Sequence, residues 1–306
     1  MNLTVRQRIW GGFIVITLLL LFIGGNSLIR ITNIDQSTQR VNQLSLPALD
    51  KSYELQVEFI LISKSAQASF YTTSQDELAA LRKNFTEQKK RYDSSYQELQ
   101  QIVSNDPKLK QSSQEVEQTY KRFAKSVDNL FKDKQTQLEL NNTLRTQLED
   151  IEISAEDANS VVLDIIDIDG LEENNSRAYQ AANNMENNFQ SVVTNSTDML
   201  TVKTLNTLDI VKNEQVYYLE EVERSLGLIR PAIIESNADL YNDLNSYVEN
   251  LVNNVRGNNS LSANKKRLID AIAQTESELA NAEKSTTEAL KQLKELVDQA
   301  TVIRHS

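Results

Sequence analysis

The sequence predicts an all-α protein, a thin, elongated antiparallel stack of helical bundles standing on one N-terminal transmembrane helix. Three observations lead there. Helix breakers are scarce: 7 glycines and 3 prolines in 306 residues, with four of the glycines inside one apolar run. The remainder is rich in Leu, Gln, Glu, Lys and Ala, which favour helix. Finally, an apolar 4-3 repeat runs for seven heptads between Val116 and Ile165, and an uncharged stretch of 21 residues lies between Arg8 and Arg30.

That stretch, Ile9 to Ile29, is the first element. At 1.5 Å per residue its 21 residues span roughly 30 Å, the thickness of a bilayer's hydrocarbon core. Trp10 sits at its charged end, where an amphipathic ring suits the headgroup layer. A cleaved export signal has a shorter apolar core and a small-x-small site. Nothing like Ala-x-Ala follows here, although Gly24-Gly25-Asn26-Ser27 offers an alternative cut. Residues 9–29 are therefore expected to be a membrane anchor. The tail, residues 1–8, carries Arg6 and Arg8 and no acid, which favours the cytoplasmic side. Residues 31–306 then face outward, in the periplasm of a Gram-negative cell.

Pro47 in "LSLPALD" kinks or restarts the helix that continues from the anchor to about Thr72. "YTTSQDEL" is a turn and a capping box, with Ser74 and Glu77 as reciprocal partners. The second helix runs to about Ser104. "SNDPKLK" places Asp106 as N-cap and Pro107 at the first helical position. The third helix, Pro107 to Ile168, reads Val116, Tyr120, Phe123, Val127, Leu130, Lys134, Gln137, Asn141, Leu144, Leu148, Ile151, Ala155, Ala158, Val162 and Ile165, the seam of a bundle. Its 62 residues give roughly 90 Å, and Gly170 ends it. Helix resumes from about Asn174 to Arg230, either unbroken or broken near Thr194–Thr201, where Ser, Thr, Asn and Asp compete for backbone bonds. A further helix covers Ala238 to Val255. "RGNNSLSANKK" is a turn, and the last helix starts near Ser262, with Leu268, Ile272, Thr275, Leu279, Ala282, Leu293 and Ala300 on one face. Short turns make these helices antiparallel neighbours.

Composition excludes much. The chain has no cysteine, one histidine (His305) and a net charge of −11. There is no disulfide, no thiolate chemistry, and no His-based triad or ordinary zinc site. Acidity argues against nucleic-acid binding. Without a phosphate loop either, the inventory argues against an enzyme and calls for no cofactor and no metal.

"NLTVRQRIWGGFIVITLLLLFIGGNSLIRI" followed by "LSLPALDKSYELQVEFILISKSAQASFYTTSQDELAALRKNF" resembles bacterial methyl-accepting chemotaxis proteins. Residues 31–306 are similar in length and turn layout to their helical bimodular sensor domain. The resemblance implies two stacked four-helix-bundle modules sharing long helices. It implies a small ligand, an organic anion or amino acid, bound between helices, or a docked periplasmic binding protein. It also implies a homodimer, and chemotaxis signalling proteins reached through a cytoplasmic part absent here. The chain is then a fragment cut before a second transmembrane helix. Some sensor histidine kinases use similar outer domains, and a ligand-free stalk is the rival of another class. Where relatives hold carboxylates with arginines, this chain has Lys64 and Gln67.

The residues add a site expectation of their own. The first outer helix has a 4-3 seam of Tyr53, Val57, Ile60, Lys64, Gln67 and Tyr71, which puts Lys64 and Gln67 in the core. Lys134, Gln137 and Asn141 interrupt the third helix's seam. Lys212 and Gln215 do the same in Leu205, Leu208, Lys212, Gln215, Leu219, Val222. An unpaired ammonium in a bundle core costs several kcal/mol, so these lysines need partners, water or a bound anion. Two readings stay open: a ligand site, or polar layers that set register with lysines that snorkel. Tyr71, Tyr217 and Tyr218 are either pocket walls or packing. Arg224 and Arg230 are either ligand contacts or exposed helix residues near Pro231.

Overall fold

A computed structural model describes the backbone of residues 5–305 and the side chains of residues 16–27 and 35–303. The elements are α1 (Val5–Arg40), a π turn (Val41–Ser45), α2 (Leu46–Tyr71), α3 (Gln75–Val103), α4 (Pro107–Ile166), α5 (Leu171–Asn174), α6 (Ser176–Thr201), α7 (Leu205–Ile233), α8 (Ala238–Val255) and α9 (Leu261–His305). Among the described residues there is no strand. The expected anchor, residues 9–29, lies partly outside the described side chains; among the described residues no helix is long and apolar enough to cross a membrane. The tail, residues 1–8, has no described side chain.

The expected breaks are physical ones. Pro47 has no N–H to give to the carbonyl four residues back. Just before it the ladder widens, and the Leu46 N–H donates to the Val41 carbonyl, an i to i+5 bond. Asp106 Oδ1 accepts from the N–H groups of Lys108 and Leu109, both at 3.1 Å, and caps α4. Its other oxygen lies 3.3 Å from Arg40. Ser74 Oγ accepts from the Glu77 N–H. The Glu77 carboxylate completes the cap on Thr72 Oγ1 rather than on Ser74. Gly170 has φ 77 and Gly257 φ 101, both in the left-handed region that the two turns require.

One boundary moves. Helix α6 runs through Thr194–Thr201 and breaks at residues 202–204. The polar side chains there bond carbonyls one turn back and leave the helix unbroken: Asn195 to Ser191, Ser196 to Val192 and Thr197 to Val193. Thr204 then caps α7, accepting from the Thr207 N–H at 3.3 Å.

The chain forms two compact units. Unit 1 comprises residues 1–68, 80–127 and 280–306. In it α2 pairs antiparallel with α3 (Ser65 to Gln88, Ser95 to Glu54) and with α9 (Ser63 to Thr286, Ser45 to Ala300). Its core holds an aromatic cluster in which Phe59 meets Phe123 at 4.7 Å and Tyr92 stacks on Tyr120 at 3.8 Å. Unit 2 comprises residues 69–79 and 128–279. There α4 pairs with α9 (Gln137 to Ala271), α6 with α7 (Gln215 to Ser196), and α7 with α8 through Arg256 at the end of α8. Leu144, Ile151, Ala158, Val162, Met185, Phe189, Leu219, Val222, Ile229, Leu251 and Leu268 fill its core.

The seam of α4 is as the repeat predicts, except that Asn141 is exposed and Leu148 half-buried. In α9 the expected Ile272 is exposed, and in α7 so are Leu205 and Lys212. The seam of α2 is the largest correction. The buried stripe is Ala48, Ser52, Leu55, Phe59, Ile62, Ala66 and Ser69. The stripe expected inside is outside: Tyr53 is 54% exposed, Val57 57%, Ile60 41% and Tyr71 74%, and Lys64 and Gln67 are exposed with them. The two stripes are offset by two residues, about 200° around a helix with 3.6 residues per turn. Thus α2 carries a heptad seam on each side, and the bundle uses only one.

Candidate ligand-binding site

Of the polar residues singled out by their spacing, three lie in unit 2 as core members. Lys134 is half-buried on α4. Its Nζ donates to the Phe70 carbonyl at 2.6 Å and sits 5.7 Å from the centre of the Phe70 ring. Gln137, one turn on, is buried and donates to the Ala271 carbonyl at 3.0 Å and to Thr275 Oγ1 at 2.5 Å. Gln215 on α7 is fully buried; its amide donates to Ser196 Oγ at 2.6 Å, and its oxygen has no partner.

These are structural contacts. Phe70 and Leu200 lie in the last turns of α2 and α6, where carbonyls lack helical donors. Lys134 supplies one of them. Lys265, on the first turns of α9 and 6% exposed, supplies the other, with Nζ 2.6 Å from the Leu200 oxygen. Burial lowers the pKa of both lysines from the usual 10.5. Lys265 did not stand out in the sequence because "SANKK" reads as a turn.

The remaining expected residues are dispersed. On α2, Lys64 and Tyr71 face outward, and Gln67 makes a 3.4 Å contact with Glu283. Asn141 is exposed on α4. Arg224 is exposed and paired with Glu221 at 2.6 Å. Arg230 is exposed, 5.9 Å from the Tyr241 ring centre. Tyr217 and Tyr218 pack on each other, with Tyr217 57% exposed.

Lys212 alone lines a cleft. The line of α8 breaks after Val255, and α9 begins at Leu261. The five intervening residues are pinned: Gln147 on α4 donates to the Asn259 carbonyl at 2.6 Å, and Arg267 to that of Asn258 at 3.1 Å. Ser260 caps α9, accepting from the Ala263 N–H. Between this break and the first turns of α7 opens a cleft of about 440 Å³. Leu208, Val216 and Val255 form its apolar wall, and Asp209, Lys212 and Lys266 bring charges to it. Arg256 also lines it, but Glu223 at 2.8 Å and Glu220 at 3.4 Å hold that guanidinium. The N-terminal turn of α9, a 45-residue helix, borders the same space and brings its positive dipole end there.

Comparison with known proteins agrees with this architecture. Residues 2–137 match the family described as a four helix bundle sensory module for signal transduction. No curated protein matches the chain. Among solved structures, the chain is similar to the TorS sensor domain, determined with TorT in the presence of TMAO. The TM-score is 0.65 at 12% identity, covering 83% of this chain and 99% of that one. It is also similar to the sensor domain of the V. parahaemolyticus histidine kinase sensor TorS, with a TM-score of 0.57 at 13% identity and the same coverage. The first part of the chain thus matches a sensory four-helix-bundle module for signal transduction, and 83% of the chain shares the helical-bundle fold of the TorS sensor domains.

Proposed function

We propose that the chain is the outward-facing sensing region, with its anchor, of a bacterial transmembrane chemoreceptor. The observation that carries this reading is on α1. Ile16, Leu18, Leu19, Leu20, Leu21, Phe22 and Ile23 are all more than half exposed, on every side of the helix. A helix that is apolar all round and covered by no protein belongs in lipid. Together with its sequence neighbours this run has the length to span a bilayer. The matched module is a sensory one, and α9 runs unbroken from the cleft at Leu261 to the turns beside Ser45, where Ala300 accepts from the Ser45 hydroxyl. A ligand that prefers one of two packings of α9 biases that helix toward the membrane. The unused seam of α2 is the surface for a second copy.

The likeness to a histidine kinase sensor domain favours a second output, phosphotransfer. Swimming bias and phosphotransfer, measured in strains that lack the gene, separate the two. The TorS structure solved with TorT supports a protein partner as the alternative to direct ligand binding.

Alkaline phosphatase, active only outside the cytoplasm, tests the topology when fused after Ser306. We expect membrane-bound, active enzyme and a chain that retains its original N-terminus. Soluble or inactive fusion protein, or an N-terminus near Asn26, overturns the anchor.

A further inference from the structure

We propose that Asp133 on α4 and Glu278 on α9 form a proton-operated contact that tightens α9 on α4 in acid; its meaning as an input to α9 rests on the sensor reading. Asn129, Asp133 and Gln137 follow one another by one turn on α4. Asn129 Nδ2 donates to Glu278 Oε1 at 2.9 Å, and the Gln137 amide donates to Thr275 Oγ1 and the Ala271 carbonyl. The stripe therefore runs antiparallel along α9, and Asp133 is its middle rung. The two outer rungs are complete. The middle one is half-buried and has no hydrogen bond among the described residues.

What the middle rung lacks is a donor. An ionised Asp133 brings only acceptors, and the facing stripe of α9 answers with acceptors too. One is the Glu278 carboxylate. The other is the Thr275 hydroxyl, whose proton is given to the Ala271 carbonyl at 2.7 Å. Among the described residues the charged groups that act on Asp133 are Glu278, which repels it, and the exposed Lys132 on its own helix, which offsets part of that repulsion. Lys134, the next cation along α4, is turned to the Phe70 carbonyl. Burial first, and then Glu278, hold the Asp133 carboxyl above its usual 3.8.

One proton turns this acceptor into a donor. Glu278 already has the Asn129 amide, so the proton belongs on Asp133. The folded chain keeps it to a higher pH than the unfolded chain does. Between 3.8 and the raised value the folded state binds more protons, so the contact strengthens as pH falls through that window; above the window the repulsion is complete. In the sensor reading α9 carries the signal, and external acid becomes an input to it in its own right.

Hydrogen exchange of the full chain in detergent, corrected at each pH for the intrinsic amide rate, tests the contact over residues 271–278. Asp133→Asn supplies the donor permanently. We expect it to slow exchange there at least about threefold at neutral pH, the effect of one added hydrogen bond. The gap to the parent should close as pH falls toward 3.8. Glu278→Gln brings a donor from the other side and removes the repulsion, so it should slow exchange similarly. The double variant should slow exchange no further than the single ones. The proposal is overturned if Asp133→Asn exchanges like the parent at neutral pH, if the gap keeps its size at every pH, or if the two substitutions act additively. A missing gap leaves the alkaline phosphatase test untouched, and a failed topology test leaves the gap untouched, so the two failures are distinguishable.

Discussion

The ammonium of Lys265 donates to the backbone carbonyl of Leu200, 2.6 Å away, with no carboxylate among its hydrogen-bond partners. Lys134 and Phe70 form the same pair at the end of α2. In both, a cation largely withdrawn from solvent, half-buried for Lys134 and buried for Lys265, serves a carbonyl at a helix terminus. The dipole's negative end offsets part of the desolvation, yet burial still lowers both lysine pKa values.

That lowering has a pH signature. The folded chain releases the Lys265 proton more readily than the unfolded chain does. Between the lowered value and 10.5 the unfolded state therefore holds more protons, and this group's contribution to stability rises with pH. Below that window both states are charged and the penalty is complete. Urea unfolding of the parent and of Lys265→Met at rising pH should show the parent gaining on the variant as pH approaches 10.5. Other groups cancel in the difference. A difference that stays flat across the window contradicts the buried-ammonium account.

Gln215 tests the opposite case, a buried polar group only half satisfied. Its oxygen has no partner, while Ser196 also donates to the Val192 carbonyl. Gln215→Met removes the unpaired acceptor and should raise stability by about 1 kcal/mol. Ser196→Ala strips the glutamine of its remaining contact and should cost about 1–3 kcal/mol. Thermal unfolding of the two variants should move in opposite directions; a loss in both refutes the assignment.

Asp106 caps α4 with one oxygen and holds Arg40 with the other. Asp106→Asn keeps an acceptor for the cap and loses only a partly exposed ion pair, which should cost less than about 1 kcal/mol. Asp106→Ala loses both and should cost about 1–2 kcal/mol. Denaturant midpoints rank the two; equal losses would mean that the ion pair, not the cap, matters.

The outer stripe of α2 bears on assembly. Ile60→Glu or Val57→Glu places a charge on a surface that is already exposed, so the isolated fold should change by no more than about 0.5 kcal/mol. If this stripe joins two copies, each variant should lower the dimer fraction in sedimentation, and Val57→Cys should cross-link. A dimer insensitive to both charges uses another face.

Helix α4 was legible because its long apolar repeat has no equally regular rival on the helix; Ala124, Phe131 and Leu138 only widen the buried face beside it. Helix α8 was legible because Asn and Gly bracket it. Helix α2 was not, because Tyr53, Val57 and Ile60 repeat as regularly as Leu55, Phe59 and Ile62. A seam that meets a partner chain obeys the same spacing as one that meets its own bundle, so periodicity cannot rank them. The candidate site was legible only in part. Lys134, Gln137 and Gln215 were recognisable as polar intruders in a seam, but whether such an intruder meets a helix-end carbonyl or a cleft is decided by segments up to 138 residues away. Lys265, Lys266 and Asp209 carry no pattern of their own. They matter because a helix breaks beside them.

The widened turn ahead of Pro47 sets a rotational phase. Its extra residue lets α1 and α2 run on as one rod while offsetting the azimuth of everything before Val41. Deleting one residue from Val41–Ser45 should restore ordinary winding. That deletion would leave the upstream azimuth nearly unchanged, because the wide turn absorbs about one residue; rewinding the same five residues as ordinary helix would instead turn the upstream helix by about 100° and advance it about 1.5 Å. A crank of that kind changes which side of α1 meets its surroundings without unfolding the bundle, so a change of winding at this one turn is equivalent to a twist of α1.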